Sequence, residues 1–233
     1  MYIDFTYIIL VLPAVIFSLW ASARVDKTFK KFSKQYTMRG LTGAQAARFV
    51  LDRNGLTNVR IEHIQGNLTD HYDPTANVIR LSDSVYANTS TAAVGVACHE
   101  TGHAIQHAVG YTPVKIRTAI VPVTNIGSKL SIPLILIGLL LASLGDIFVQ
   151  LAYVGCALFG LCVVFQLVTL PVEFNASNRA LQCIEANNLL VGEELEGAKK
   201  TLSAAAMTYV AALAVTLMQF IRLLLMVMGS SRD

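Results

Sequence analysis

The sequence predicts an α-helical integral membrane protein, with about four transmembrane helices and a small α+β domain. Three observations carry this. Of 233 residues, 54% are hydrophobic and 14% charged, where soluble domains carry about 25% charged residues; the mean hydropathy is +0.55. Apolar runs of spanning length recur along the chain. A polar stretch after the first run carries both helix and strand patterns. The net charge of +3 is small and no basic tract is interleaved with aromatics, so no nucleic-acid partner is expected. Cys98, Cys156, Cys162 and Cys183 form no C-x-x-C pair, so neither disulfides nor a cysteine metal site is inferred.

Phe5 to Ala23 is charge-free and has roughly the ~20 residues a bilayer requires; Pro13 could kink it. A cleaved signal peptide would begin with positive charge, whereas Asp4 precedes this run and Arg24, Lys27, Lys30, Lys31 and Lys34 follow it. Residues 1–24 are therefore read as an anchor with its N-terminus outside and the lysines in the cytoplasm. Within residues 25–129, Thr42-Gly43-Ala44-Gln45 is a capping box that opens a helix ending at Asn54-Gly55. Asn58 to Ile64 and Asn77 to Ser82 read as strands around the turn-rich 66–74. They form either an edge for an extended peptide or a plain supporting hairpin. The next helix is expected from about Thr91 to Val109, with Thr89 or Ser90 as N-cap and Gly110 as C-cap. Tyr111 to Lys129 reads as a connector. Residues 130–172 read as a transmembrane hairpin turning at Gly145-Asp146, with a first arm that is short for a span. Residues 173–200 form a polar cytoplasmic helix, and 201–233 the last span, interrupted only by Arg222.

The chemistry lies in His99-Glu100-Thr101-Gly102-His103. Residues four apart share a helix face, so both imidazoles can aim at one ion. Glu100 then projects beside it, where a carboxylate can take a proton from a water that a zinc ion activates. The alternative is a chance match, but ionisable residues in a segment as apolar as Val94-Gly95-Val96-Ala97-Cys98 need partners. The domain is thus expected to be zincin-like, cytoplasmic and catalytic. A catalytic zinc takes three protein ligands and leaves one position open. His107 lies about 6 Å further along the helix and reads as a rim or supporting residue, or a packed histidine. His71 is a loop histidine between Asp70 and Asp73 that could approach the ion or simply hold a turn. Glu173 follows the long apolar run and would be the glutamate of a His₂Glu site, or a helix-start glutamate stabilised by the dipole.

The segment His99 to Ala108, with Leu68-Thr69-Asp70-His71-Tyr72-Asp73-Pro74, Pro171-Val172-Glu173-Phe174-Asn175-Ala176-Ser177 and Thr208-Tyr209-Val210-Ala211-Ala212, resembles the YugP-type membrane zinc metallopeptidases of bacteria. The resemblance covers nearly the whole chain in the same order. More distantly it is similar to the HtpX and CAAX prenyl protease gluzincins, whose third ligand is a glutamate on a later helix. It implies a neutral zinc metallopeptidase embedded in the bacterial inner membrane; the lysines after the first span would set this multi-pass protein's catalytic site facing the cytoplasm. Zinc would be held by His99, His103 and Glu173, and Glu100 would be general base. Tyr72, His71 or Arg179 would stabilise the oxyanion. The family pattern commonly places an acidic residue after Glu-Phe; here Asn175 stands, so that charge is absent. The expected partners are a protein or peptide substrate and the lipid bilayer, with membrane-protein partners or a homo-oligomer compatible. A non-enzymatic adaptor that keeps a structural zinc is the alternative. A di-iron oxygenase needs more histidines than the five present.

Overall fold

The computed structural model describes residues 5–230; Asp4, whose charge enters the reading of the first span, and residues 231–233 lie outside them. The described residues include six α-helices and three strands: α1 Leu12–Phe32, α2 Gly43–Arg53, β1 Arg60–Ile64, β2 His71–Asp73, β3 Val78–Ser82, α3 Thr91–Ala108, α4 Thr112–Leu140, α5 Asp146–Ala186 and α6 Glu193–Ser230. Four helices are long and apolar enough to cross a membrane: Tyr7–Phe32, Thr112–Leu140, Asp146–Ala186 and Glu193–Ser230. The chain divides into two compact units. One comprises Met1–Trp20, Lys115–Leu170 and Thr208–Asp233, the other Ala21–Val114 and Pro171–Met207.

Among the described residues the first unit is mostly apolar helix, broken at residues 141–145, where a 3-10 turn, Ala142–Leu144, links α4 to α5. A π-helical turn, Tyr7–Val11, leads into α1. Pro13 has no N–H to return to the preceding turn, and a widened turn is a common answer to a missing rung. Helices α4 and α5 approach closely at two glycines. A Cβ on Gly155 would stand 2.8 Å from the Ser131 carbonyl oxygen, and one on Gly138 would stand 2.7 Å from Ala152 Cβ. Small residues permit such contact where burial of apolar surface gives little drive for helices to associate. The local core is Ile135, Ala152, Cys156, Leu223 and Val227.

The second unit is built around α3. Small residues at Ala92, Ala93, Ala97 and Ala104 pack into one core with Ile79, Leu81 and Val85 from the sheet side. Val94, Cys98 and Ile105 pack into another with Ala180 and Ile184 of α5 and Ala198 and Leu202 of α6. The helix is therefore buried on two sides, and Ser90 caps it by accepting from the Ala93 amide. The Thr42–Gln45 capping box forms in both directions, and Gly55 takes the left-handed conformation at φ 72°, as a helix end favours.

Four expectations need correction. The two anticipated strands are not a hairpin: β1 and β3 pair in parallel. The third strand, β2, lies in the segment read as a loop and pairs antiparallel with β3. Its turn is held by Asp73 Oδ1, which accepts from the amides of Thr75 and Ala76, with Asn77 at φ 52°. The stretch read as a connector, 111–129, is instead helix from Thr112 on, the start of α4, with Pro113 in the first turn, where its missing N–H costs nothing. Finally, no helix starts at Glu173; α5 runs unbroken to Ala186 through Pro171.

Candidate metal centre

His99 and His103 come from the middle of α3, and Glu173 from the part of α5 that packs on it. The packing depends on Gly102. A Cβ there would stand 3.0 Å from the carbonyl carbon of Ala176 and closer still to its oxygen. Only a glycine lets the α5 backbone come so near. On α5, Val172, Ala176, Ala180 and Ile184 form a buried stripe at four-residue spacing, and Glu173 lies next to it.

One ligand atom from each of His99, His103 and Glu173 lies within 4.8 Å of the others. The two Nε2 atoms are 3.2 Å apart, and Glu173 Oε2 is 3.4 Å from that of His99 and 3.5 Å from that of His103. A tetrahedral ion with ~2.05 Å bonds needs ligand atoms about 3.3 Å apart. The three atoms thus form a triangle matching one face of that tetrahedron. Two imidazoles and a carboxylate are also the donor chemistry zinc takes. Burial pulls the His103 ring towards neutrality, but the Glu173 hydrogen bond and the Glu100 and Glu173 charges outweigh it and raise its pKa above the ordinary histidine value. The outer ring nitrogens are held as well: His103 Nδ1 by Gln106 Oε1 at 3.0 Å and His99 Nδ1 by Ser177 Oγ at 3.1 Å. Such contacts orient metal-binding imidazoles.

Glu100 is 7% exposed. Among the described residues no hydrogen bond or ion pair engages its carboxylate. A carboxylate so placed is costly unless something enters to meet it, and it is close enough for its charge to bear on both His103 and Asp70.

The other residues read from the sequence fall into two groups. His71 is exposed, with Nδ1 donating to Thr69 O at 2.9 Å and Nε2 3.4 Å from Arg80. Tyr72 donates to Asn77 Oδ1 at 3.1 Å and sets its ring edge-on to that of His107, with centroids 5.5 Å apart. These contacts of His71 and Tyr72 run to the sheet and to the far end of α3. Arg179 instead reaches the centre through a relay: its Nε donates to Asn175 Oδ1 at 2.7 Å, and Asn175 meets Gln106 at 3.0 Å. Its guanidinium also lies over the Tyr111 ring. Gln106 and Ser177 are the residues that sequence reasoning missed. Gln106 stands three residues after His103, a spacing that makes helix neighbours; Ser177 gives no comparable signal.

The family model described as "Putative neutral zinc metallopeptidase" matches residues 7–228 of the chain. A curated relative, "Putative membrane protease YugP" of Bacillus subtilis (strain 168), is 46% identical over 227 residues, 97% of this chain and 98% of the relative. No solved structure matches the chain significantly.

Proposed function

The chain belongs to this zinc metallopeptidase family, and from that premise we propose that it is a membrane-embedded zinc metalloendopeptidase acting on membrane or membrane-proximal proteins. The observation that carries the reading is the triangle of His99, His103 and Glu173 ligand atoms beside a buried carboxylate, Glu100, with no hydrogen-bond or ion-pair partner among the described residues. His99, His103 and Glu173 would hold the ion. Zinc, when bound, polarises a carbonyl and brings the pKa of a water to about 7.

The chain's own residues do the rest. Glu100 takes the proton of the attacking water and returns it to the leaving amine. Its burial and lack of a competing partner leave the carboxylate available for that exchange. Arg179 is the cation we assign to the developing oxyanion or the adjoining substrate carbonyl. Only its Nε is used by Asn175, and among the described residues its terminal nitrogens make no hydrogen bond or ion pair. Four helices suited to crossing a bilayer, together with the lysines that follow the first, support a multi-pass protein with this site on the cytoplasmic side of the inner membrane. A non-enzymatic adaptor would give no reason for a buried Glu100 that meets no partner among the described residues.

The test uses full-length protein in detergent or liposomes with unfolded membrane and soluble protein substrates. Cleavage that chelator abolishes and zinc restores is expected. Zinc-loaded protein that cleaves no substrate of either kind, in cells or in vitro, would sink the proposal.

A further inference from the structure

Gln106 is among the largest fully buried side chains of the chain, with no exposed surface. A buried amide must find its donors and acceptors locally. Its Oε1 lies 3.0 Å from His103 Nδ1. Its Nε2 lies 2.7 Å from the Val172 carbonyl oxygen and 3.0 Å from Asn175 Oδ1. A backbone carbonyl only accepts, so the nitrogen end of Gln106 has to face Val172. The oxygen end then faces His103, and an amide oxygen also only accepts. His103 must therefore carry its ring proton on Nδ1, which leaves the Nε2 lone pair aimed at Glu173 and His99.

The far end of the relay is fixed by the same logic. Arg179 Nε–H only donates, so the Asn175 atom 2.7 Å away is its oxygen. That oxygen is the acceptor the second Gln106 N–H requires. His99 is different. Its Nδ1 meets the Ser177 hydroxyl, which donates or accepts with equal ease, so nothing there imposes a tautomer.

We infer that Gln106 is a positioning residue. It locks His103 in the Nδ1–H form, and it bonds α5 at Val172 and Asn175, on either side of Glu173. One neutral amide on α3 thus sets the lone pair of one candidate ligand and the placement of another on a different helix. A side chain that merely filled space would do neither. The inference rests on the reading of His103 and Glu173 as ligands, and on no assumption about what is hydrolysed.

The experiment uses full-length protein in detergent micelles, labelled with ¹⁵N at histidine rings, stripped of metal and held at a pH where the rings are neutral. His103 is identified by the signals that vanish in His103→Ala. Wild-type His103 is expected with Nδ1 protonated and Nε2 bare. In Gln106→Leu the two tautomers should mix, and zinc affinity by chelator competition should fall about 10–100-fold. Gln106→Glu keeps an acceptor for that N–H and, protonated on its outer oxygen, a donor for the Val172 carbonyl, so it should keep the Nδ1–H form. A wild-type His103 protonated on Nε2 overturns the inference, and so does a folded Gln106→Leu with wild-type tautomer and zinc affinity. If Gln106→Leu does not fold, the wild-type and Gln106→Glu spectra decide. Hydrolysis is read in no arm, so protein that binds zinc and cleaves nothing would fail the peptidase proposal while leaving this one standing.

Discussion

Replacing Gly102 by alanine tests whether close contact between α3 and α5 builds the metal centre. The added methyl would stand 3.0 Å from the Ala176 carbonyl carbon and 3.1 Å from its Cα, with the oxygen nearer. Carbons settle at about 3.5–4.0 Å, so the helices must part by roughly 0.5–1 Å at this point. His99 and His103 share α3 and keep their own spacing. Glu173 sits one turn from Ala176 on α5 and moves away with it. Its distances of 3.4 and 3.5 Å to the two Nε2 atoms then open to roughly 4–4.5 Å, well past the ~3.3 Å a tetrahedral zinc needs. Zinc affinity, by competition with a calibrated chelator, should fall roughly 100-fold or more, since an oriented ligand is lost and not merely loosened. Overpacking should also cost about 1–3 kcal/mol of stability in thermal or chemical unfolding. Gly95→Ala on the same helix is the control. Its Cβ would meet Ala198 Cβ at 3.4 Å, an ordinary contact, and loss of a mid-helix glycine should gain about 0.5–1 kcal/mol. Wild-type zinc affinity in Gly102→Ala, or equal damage from Gly95→Ala, would refute this account.

Three further outcomes are expected. Glu100→Gln should retain zinc and lose about 10²–10⁴-fold in hydrolysis rate, while His99→Ala, His103→Ala and Glu173→Ala should lose the metal itself; full turnover by zinc-loaded Glu100→Gln would remove the carboxylate from the mechanism. A single cysteine at Lys30, in a background lacking the four native ones, should resist impermeant thiol reagents in intact cells, and ready labelling would invert the proposed orientation. Burial, against two Ser82 hydrogen bonds and aided by the Glu100 charge, holds the Asp70 carboxyl above its ordinary value of 3.8. The folded form then binds its proton more readily than the unfolded form, so Asp70 weakens stability as pH rises through that value towards the raised one. Asp70→Asn should flatten that part of the stability profile, measured by chemical unfolding from about pH 4 to 6, and an unchanged slope would count against the burial argument.

The parts of this protein legible in its sequence are those fixed by a period or a length. Apolar runs announce helices long enough for a bilayer, and the His99–His103 interval announces one face of a helix. Glu173 stood out because a carboxylate following a long apolar run is conspicuous. Its setting was misread because a change from apolar to polar composition marks a change of surroundings and not a break in the backbone. A helix satisfies its own hydrogen bonds on both sides of such a boundary, so α5 passes through it, with Pro171 the one missing rung. Strand β2 escaped because three residues, His71–Asp73, are too few for alternation to register, and its pairing depends on the Asp73 turn.

Gln106 was hidden for a different reason. A glutamine between two histidines on a helix reads as a solvated residue, and by composition alone that is the sensible assignment. What buries it is the carbonyl of Val172, 66 residues away, and a backbone carbonyl has no side-chain signature at all. The residue types that bind a metal can be read from a chain because their chemistry is in the side chains. The proton placement that turns one nitrogen of His103 towards Glu173 as a lone pair and makes the other a donor depends on which backbone atom the fold brings to Gln106. The same contact that carries α5 against Gly102 supplies that atom. Gly102 and Gln106 are therefore two parts of one device, and their substitutions should fail to add. Once Gly102→Ala has withdrawn Val172 and Asn175 from reach, a further change of Gln106 to leucine should cost zinc affinity less than it does alone. Fully additive losses in the double variant would mean that the two residues act on the centre independently.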